Sequence, residues 1–276
     1  MSTRPISFTI DVEDHRAGLA GPRRYQAATR RLADFLAAHG IRGTFFVVGD
    51  LAGEAAGLIR ALAAAGHEIG CHGAHHRLLA AEDPARLPAA LAAAKARLEQ
   101  AACQKVAGFR APYFSLTPAS RWAVGALAAA GFAYSSSVQP GRGPGQRFPG
   151  APRAPFLWPE GLLEIPCPVL PLGPFALAVL GGTTMRYLAP WDFAWMRRAL
   201  GRQGGGQALW TYCHPYDIDT EEQFARLPGL TLASSLALWA NRGATLRRWR
   251  TLARTPAPPL AERAAALRAA AAPWPA

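Results

Sequence analysis

Strand-like and helix-like runs alternate through the first half of this 276-residue chain, and that alternation restricts its fold more than any other feature. Residues 6–10, 44–48, 68–71, 106–109 and 132–135 are short runs rich in apolar, β-branched or aromatic side chains. Helix-length segments separate them. Residues 25–39 place Leu32, Phe35 and Leu36 on one face. Residues 53–65 and the Ala-rich 84–102 follow, and then a segment capped by Thr117, with Pro118 at its first position, that runs to Ala130. Gly40 and Gly66 stop the first two helices, as residues tolerant of left-handed geometry do. Strands alternating with helices of this length predict a parallel sheet, open or closed into a barrel. Chemistry in such folds sits at the carboxyl ends of the strands.

The second half is less regular. Residues 139–159 are rich in Pro, Gly and Arg and are expected to form a long loop lining a cleft. Later strands are expected at 162–169 and 208–212, with a helix at 189–203 between them. A further helix is expected over 232–252, then a Pro break at 255–259, a short Ala/Arg-rich helix, and a frayed end over 269–276. The Gly-rich run from Gly181 to Arg186 lacks the spacing of a phosphate-binding loop. The organisation expected is therefore one barrel unit over residues 1–228 and a helical, basic extension over 229–276.

Composition excludes several classes. No apolar run approaches the roughly 20 residues of a membrane span; the best attempt, 169–180, is broken by Pro171 and Pro174. The chain enters its first strand too early to leave room for a signal peptide, so a cytoplasmic location is expected. Four scattered cysteines without a C-x-x-C pair form neither a disulfide framework nor a zinc ribbon. Cys71 and Cys213 each precede a histidine and are expected to be buried small hydrophobes. The net charge of +12 is nearly all arginine, with Lys95 and Lys105 the only lysines, a pattern of biased composition rather than of nucleic-acid binding. Seven arginines from Arg242 to Arg268 face only Glu262, and peripheral contact of this basic tail with the inner face of a membrane is the functional expectation for it.

Four motifs carry chemistry. Asp11-Val12-Glu13-Asp14 closes the first strand, and strand alternation puts Asp11 and Glu13 on one face. The segment from Glu68 to His76 places His72 and His76 four apart, so that on a helical turn both imidazoles reach one cation. Arg110-Ala111-Pro112-Tyr113 follows the fourth strand, and a late strand ends at Cys213-His214-Pro215.

Taken in this order, the motifs resemble those of the polysaccharide deacetylase (NodB-homology) superfamily over about residues 5–220. The Asp-Val-Glu-Asp variant, with the late His-Pro-Tyr-Asp-Ile-Asp, is similar to deacetylases linked to exopolysaccharide assembly. The resemblance implies an α/β fold, a distorted and incomplete (β/α) barrel, here with a helical C-terminal extension. It implies removal of an N-acetyl group from an amino sugar in a glycan or a lipid-linked precursor, with one divalent metal ion, zinc, as cofactor.

By the same resemblance His72 and His76 are ligands, with Glu13 or Asp14 as the carboxylate; Asp11 is the general base, oriented by Arg110. The backbone N–H of Tyr113 serves the oxyanion, and His214 is the general acid. The family's acidic and tryptophan motif that tunes the late histidine is indistinct, and Glu164 stands in its part of the chain as tuning carboxylate or as ordinary strand-edge acid. His75 is expected to face solvent or to lie behind the pair, and His15, His39 and His67 to be surface or loop residues. Two other readings stay open: hydrolysis of another C–N bond, in a cyclic amide or formamide, and a catalytically inactive glycan-binding relative.

Overall fold

The computed structural model describes residues 4–19, 21–173, 175–178, 180–202 and 206–274. All six residues of β1 (Ser7–Val12) are buried, because each face of the strand meets a different core. Phe8, Ile10 and Val12 join the larger core between the sheet and its helices. Thr9 and Asp11 point the other way, towards Arg110. Phe45 and Phe46 of β2 divide in the same manner, Phe45 into the larger core and Phe46 into a smaller one with Phe114, Tyr134, Leu163 and Trp210. A strand with period two, buried on both sides, is the signature of a sheet that curls round its own interior.

The elements follow the predicted alternation. After β1 come α1 (Tyr25–Ala37), β2 (Thr44–Val47), α2 (Ala56–Ala64), β3 (Glu68–Cys71), α3 (Leu87–Ala102), β4 (Gly108–Phe109), α4 (Ala123–Ala129) and β5 (Tyr134–Ser135). Then follow β6 (Phe156–Leu157), β7 (Leu163–Glu164), β8 (Val169–Leu172), β9 (Phe175–Ala178), α5 (Gly182–Tyr187), α6 (Pro190–Arg202) and β10 (Trp210–Cys213). The chain finishes with α7 (Leu232–Trp239), α8 (Thr245–Leu252), α9 (Leu260–Ala270) and β11 (Ala272–Pro273). The large sheet runs β10-β1-β2-β3-β4-β5-β7-β6-β11, parallel except between β6 and β7. Among the described residues it does not close on itself, so the expected incomplete (β/α) barrel is the fold observed.

Several expectations shift. The helix expected at 232–252 breaks at Asn241, whose left-handed backbone (φ 59°) separates α7 from α8; asparagine tolerates that region better than most residues. The strand expected at 162–169 is paired only at β7, and the apolar run beginning at Val169 folds instead into the β8–β9 hairpin. The helix expected at 189–203 is α6, and its expected end at Gln203 lies outside the described residues. The end expected to fray does not: β11 pairs with β6, and Trp274 stacks on Trp158 with centroids 4.4 Å apart. Pro275 and Ala276 lie outside the described residues.

From residue 229 to 274 the chain carries α7, α8, α9 and β11, and these are bound to the barrel rather than trailing from it. Trp249 is fully buried, edge-on to Phe8 at 5.1 Å. The N-terminus of α9 meets the floor of the sheet, where Leu260 N–H donates to Thr44 Oγ1 (3.0 Å) and Ala261 N–H to Glu68 Oε2 (2.9 Å). Arg242 pairs with Glu222, and Arg248, Arg263 and Arg268 donate to the carbonyls of Arg186, Leu209 and Ala133. Arg247, Arg250 and Arg254 of the basic series are exposed. No helix among the described residues is long and apolar enough to cross a membrane. Trp249→Ala is expected to cost about 3–5 kcal/mol through the cavity it leaves, read as a lower urea midpoint.

Candidate active site

The ends of β1, β3, β4 and β10 converge on one cavity of about 780 Å³, lined among others by Asp11, Glu13, His72, His76, Tyr113 and His214. Strand alternation puts Asp11 and Glu13 on the cavity side and turns Asp14 away. Asp14 Oδ2 accepts from Arg23 Nε at 2.6 Å and its Oδ1 from the Arg16 backbone N–H at 3.1 Å. Of the two acids proposed to complete a metal set, Glu13 is therefore the one beside the histidines.

His72 directly follows β3 and is buried. Its Nδ1 lies 3.0 Å from the Arg110 carbonyl, which can only accept, so Nδ1 carries the proton and Nε2 keeps its lone pair. That Nε2 is 3.5 Å from Glu13 Oε2. The His76 Nε2 abuts the same carboxylate oxygen, yet it is buried without a well-oriented hydrogen bond. Ligand atoms of Glu13, His72 and His76 all lie within 4.8 Å of one another. The donor set suits a divalent cation: one anionic oxygen, one imidazole nitrogen in the ligating tautomer and one without a partner.

The two histidines converge by a different route from the helical turn expected of them. Residues 72–76 form a loop that reverses at Gly73 (φ 78°) and His76 (φ 47°). A Cβ on Gly73 would come within 2.9 Å of Pro112 Cγ, so only glycine lets this loop lie against the turn after β4. That contact joins the second motif to the third. Tyr113 and Phe114 then take consecutive left-handed conformations (φ 57° and 54°), rare for bulky residues and a mark of backbone held by its surroundings. The Tyr113 ring is exposed over the cavity and packs 4.7 Å from His76.

Arg110 is fully buried. Its Nη1 donates to Asp11 Oδ1 and to Thr9 Oγ1, both at 2.7 Å, and Nε and Nη2 reach the carbonyl and hydroxyl of Ser136. The rings of Phe46 and Trp210 flank the guanidinium at 4.2 Å, which supplies cation–π attraction where water is excluded. Asp11 is thus held by one oxygen, with Oδ2 left for other work.

His214 continues β10 into a short turn. Its Nδ1 and its backbone nitrogen both lie 2.8 Å from Asp217 Oδ2, and Arg186 Nη2 sits 3.2 Å from the other carboxylate oxygen. Tyr216 stacks on the imidazole, ring planes 9° apart. Burial opposes the imidazolium, but the Asp217 carboxylate outweighs it, with Glu13 and Asp11 adding smaller pulls, and raises the His214 pKa to about 9. Around Glu13, burial disfavours the charge, yet the neighbouring His76 and His214 hold the carboxyl well below its usual range.

Glu164 is not the carboxylate that tunes His214. It is buried and engaged elsewhere, accepting from the backbone of Ser137 (2.7 Å) and Val138 (2.9 Å), and burial raises its pKa. The partner is Asp217, legible in hindsight as an acid three residues after the histidine across a proline, able to cap its own turn. Arg186, fully buried behind that acid, gave no local signal at all. Among the other histidines, His75 is exposed beside Asp50 as expected. His39 caps its own helix through the Phe35 carbonyl, and His15 pairs with Glu222. His67 departs from expectation: it is buried, accepts from Gly43 N–H, and burial with Arg42 nearby lowers its pKa to about 4.

Asp217→Asn tests the pair. His214 must be protonated to act as an acid, so activity is expected to fall as pH rises through about 9. In the variant the alkaline limb of kcat/KM should move down by about one to two pH units; an unmoved limb would show that Asp217 does not set it. The same raised pKa makes the pair stabilising below the ordinary 6.5, with that stabilisation lost as pH rises through about 9.

Two family models account for most of the chain. Residues 3–133 match polysaccharide deacetylase, and residues 136–257 match a domain of unknown function, DUF3473. Among solved structures, a proposed polysaccharide deacetylase from Mycobacterium smegmatis is similar at 20% identity, covering 99% of this chain and 93% of that one, with a TM-score of 0.65. An allantoinase is similar at 18% identity, covering 90% of each chain, with a TM-score of 0.56. A carbohydrate esterase family 4 pseudoenzyme from Bacillus anthracis is similar at 14% identity, covering 96% of this chain and 70% of that one, with a TM-score of 0.51. At these identities the likeness is one of fold. No curated protein matches the chain.

Proposed function

The chain belongs to the polysaccharide deacetylase superfamily, and from that membership we propose that it is a metal-dependent hydrolase removing N-acetyl groups from an amino sugar in a polysaccharide or its lipid-linked precursor. The observation that carries the reading is one cavity shared by the Glu13–His72–His76 set, the Asp11–Arg110 pair and the Asp217–His214 pair. Glu13, His72 and His76 would hold one divalent ion, zinc in this reading, and Asp14 is left in its ion pair with Arg23. An ion bound there supplies Lewis acidity, polarising the acetamide carbonyl and making a water easier to deprotonate.

The chain's own groups do the rest. Asp11, fixed through Oδ1 by Arg110, takes the proton of the attacking water on Oδ2. The Tyr113 backbone N–H, in its left-handed turn at the cavity wall, donates to the oxyanion of the tetrahedral intermediate. His214, its Nδ1 held by Asp217, delivers a proton from Nε2 to the departing amine. A cytoplasmic location belongs to the same reading and is supported by four free cysteines, three of them buried. Zinc-loaded protein is expected to release acetate from N-acetylated glucosamine oligomers, measured by an enzyme-coupled acetate assay. Formate, or a ring-opened product from a cyclic amide, would move the chain to another C–N bond; no turnover of any of these would leave the glycan-binding alternative.

A further inference from the structure

Nine of the eleven exposed large apolar side chains among the described residues lie between Leu172 and Trp239, and the other two, Leu78 and Tyr113, line the cavity. The densest part is α6. Trp191, Trp195, Arg198 and Arg202 follow at i, i+4, i+7 and i+11, one stripe of the helix, and border a single surface depression. The indoles are 74% and 59% exposed, while Met196 and Leu200 anchor the inward side in the core. The one acid of this helix, Asp192, is exposed in its first turn, roughly 100° round from Trp191. α6 packs on β8, and the hairpin of β8 and β9 displays Leu172 and Phe175, about half exposed, at its tip. On the other side, the Tyr187 hydroxyl donates to the Ala237 carbonyl of α7 (2.6 Å), whose outer face presents Leu232 and Leu236.

We propose that this face docks on an anionic phospholipid bilayer, with the two indoles and the hairpin tip in the headgroup boundary and Arg198 and Arg202 on lipid phosphates. The charge fits that occupant: a guanidinium pair continues the indole stripe on a chain of net charge +12. Indoles also stack on sugars, but Leu172 and Phe175 offer nothing to sugar hydroxyls and a neutral glycan gives the arginines no counter-ion, so a bilayer accounts for more of the face. The face is joined to the cavity. Ala176 of β9 donates to the Arg142 carbonyl (2.8 Å), and Gly145 and Gln146 of that same loop line the cavity wall. Docking would bring the rim of the groove beside the lipid surface. This inference does not rest on the proposed reaction.

The test is co-sedimentation of the full chain with vesicles of phosphatidylcholine alone or with about a quarter phosphatidylglycerol. The unaltered protein should bind the anionic vesicles at least about tenfold more tightly than the neutral ones. Trp191→Ser with Trp195→Ser should weaken that binding at least about tenfold, Leu172→Ser with Phe175→Ser should weaken it as well, and Arg198→Glu with Arg202→Glu should erase the preference for anionic lipid. Each variant is checked for an unchanged melting curve and unchanged acetate release from soluble oligomers. No vesicle binding by the unaltered protein, or equal binding by correctly folded variants, would overturn the proposal. So would loss of oligosaccharide binding with vesicle binding intact, which would make the indoles a glycan platform. Sedimentation needs no turnover, so a failed acetate assay leaves it readable.

Discussion

Replacing His72 and His76 together with alanine is expected to remove the divalent metal and to lower acetate release by about a thousandfold or more, while leaving the fold in place. The metal loss follows from the ligand count: Glu13 alone could not retain an ion that the proposed site would hold with three residues. In the proposed mechanism the rate falls because Asp11 and His214 would be left to move protons without the Lewis acid that makes an amide carbonyl attackable. The fold should survive because the substitutions leave no buried charge without water: His76 is partly exposed and Glu13 borders the open cavity. Metal content by emission spectroscopy, acetate release and a melting curve are measured on the same sample. Retained metal with retained activity would sink the assignment. His72→Ala alone should cost more than His76→Ala, since the His72 ring also ties β3 to the Arg110 carbonyl.

The second large effect belongs to Arg110. Arg110→Ala is expected to destabilise the protein by about 3–5 kcal/mol and to abolish activity, because Asp11 would be left buried without its cation. Thr9 and Ser136 would lose their donors too, and Phe46 and Trp210 the group they flank. Asp11→Asn separates the two roles of the pair. It keeps the shape of the side chain and is expected to cost less stability than Arg110→Ala, yet to lower kcat by about 10²–10⁴ through loss of the proton acceptor. Urea midpoints and kcat on the two variants make the comparison. A smaller stability loss in Asp11→Asn than in Arg110→Ala, with kcat lowered in both, would fit; full activity in Asp11→Asn would remove Asp11 as the base.

The sequence was most legible where local rules and the fold agree. Alternating runs announce β1 to β5 with their helices, and strand parity alone puts Asp11 and Glu13 on one side. Parity also separates Glu13 from Asp14, but the ion pair that occupies Asp14 comes from Arg23, a loop residue nine positions on. The two histidines do come together beside Glu13, but not by the helical turn that their spacing suggested: Gly73 and its packing on Pro112 produce a loop. Asp217 was within reach, since an acid placed three residues past a strand-end histidine can fold back on it. Arg186 was not, because only the path of the chain between β9 and β10 brings it behind Asp217. The same limit applies to the C-terminal helices, whose arginines look like a free basic tail until their acceptors, all from distant strands and loops, are known.

The anchoring of α9 under the sheet also bears on how the protein comes into being. Thr44 and Glu68 are made early, but the backbone groups that satisfy them belong to Leu260 and Ala261, 216 and 193 positions later. Until those residues leave the ribosome, the floor of the barrel must wait with its polar groups open to water. Contacts of such long sequence separation form slowly. A nascent chain that already holds all four motifs is then still unfinished, and the cavity end of the barrel depends on a segment synthesised well after them for a closed base.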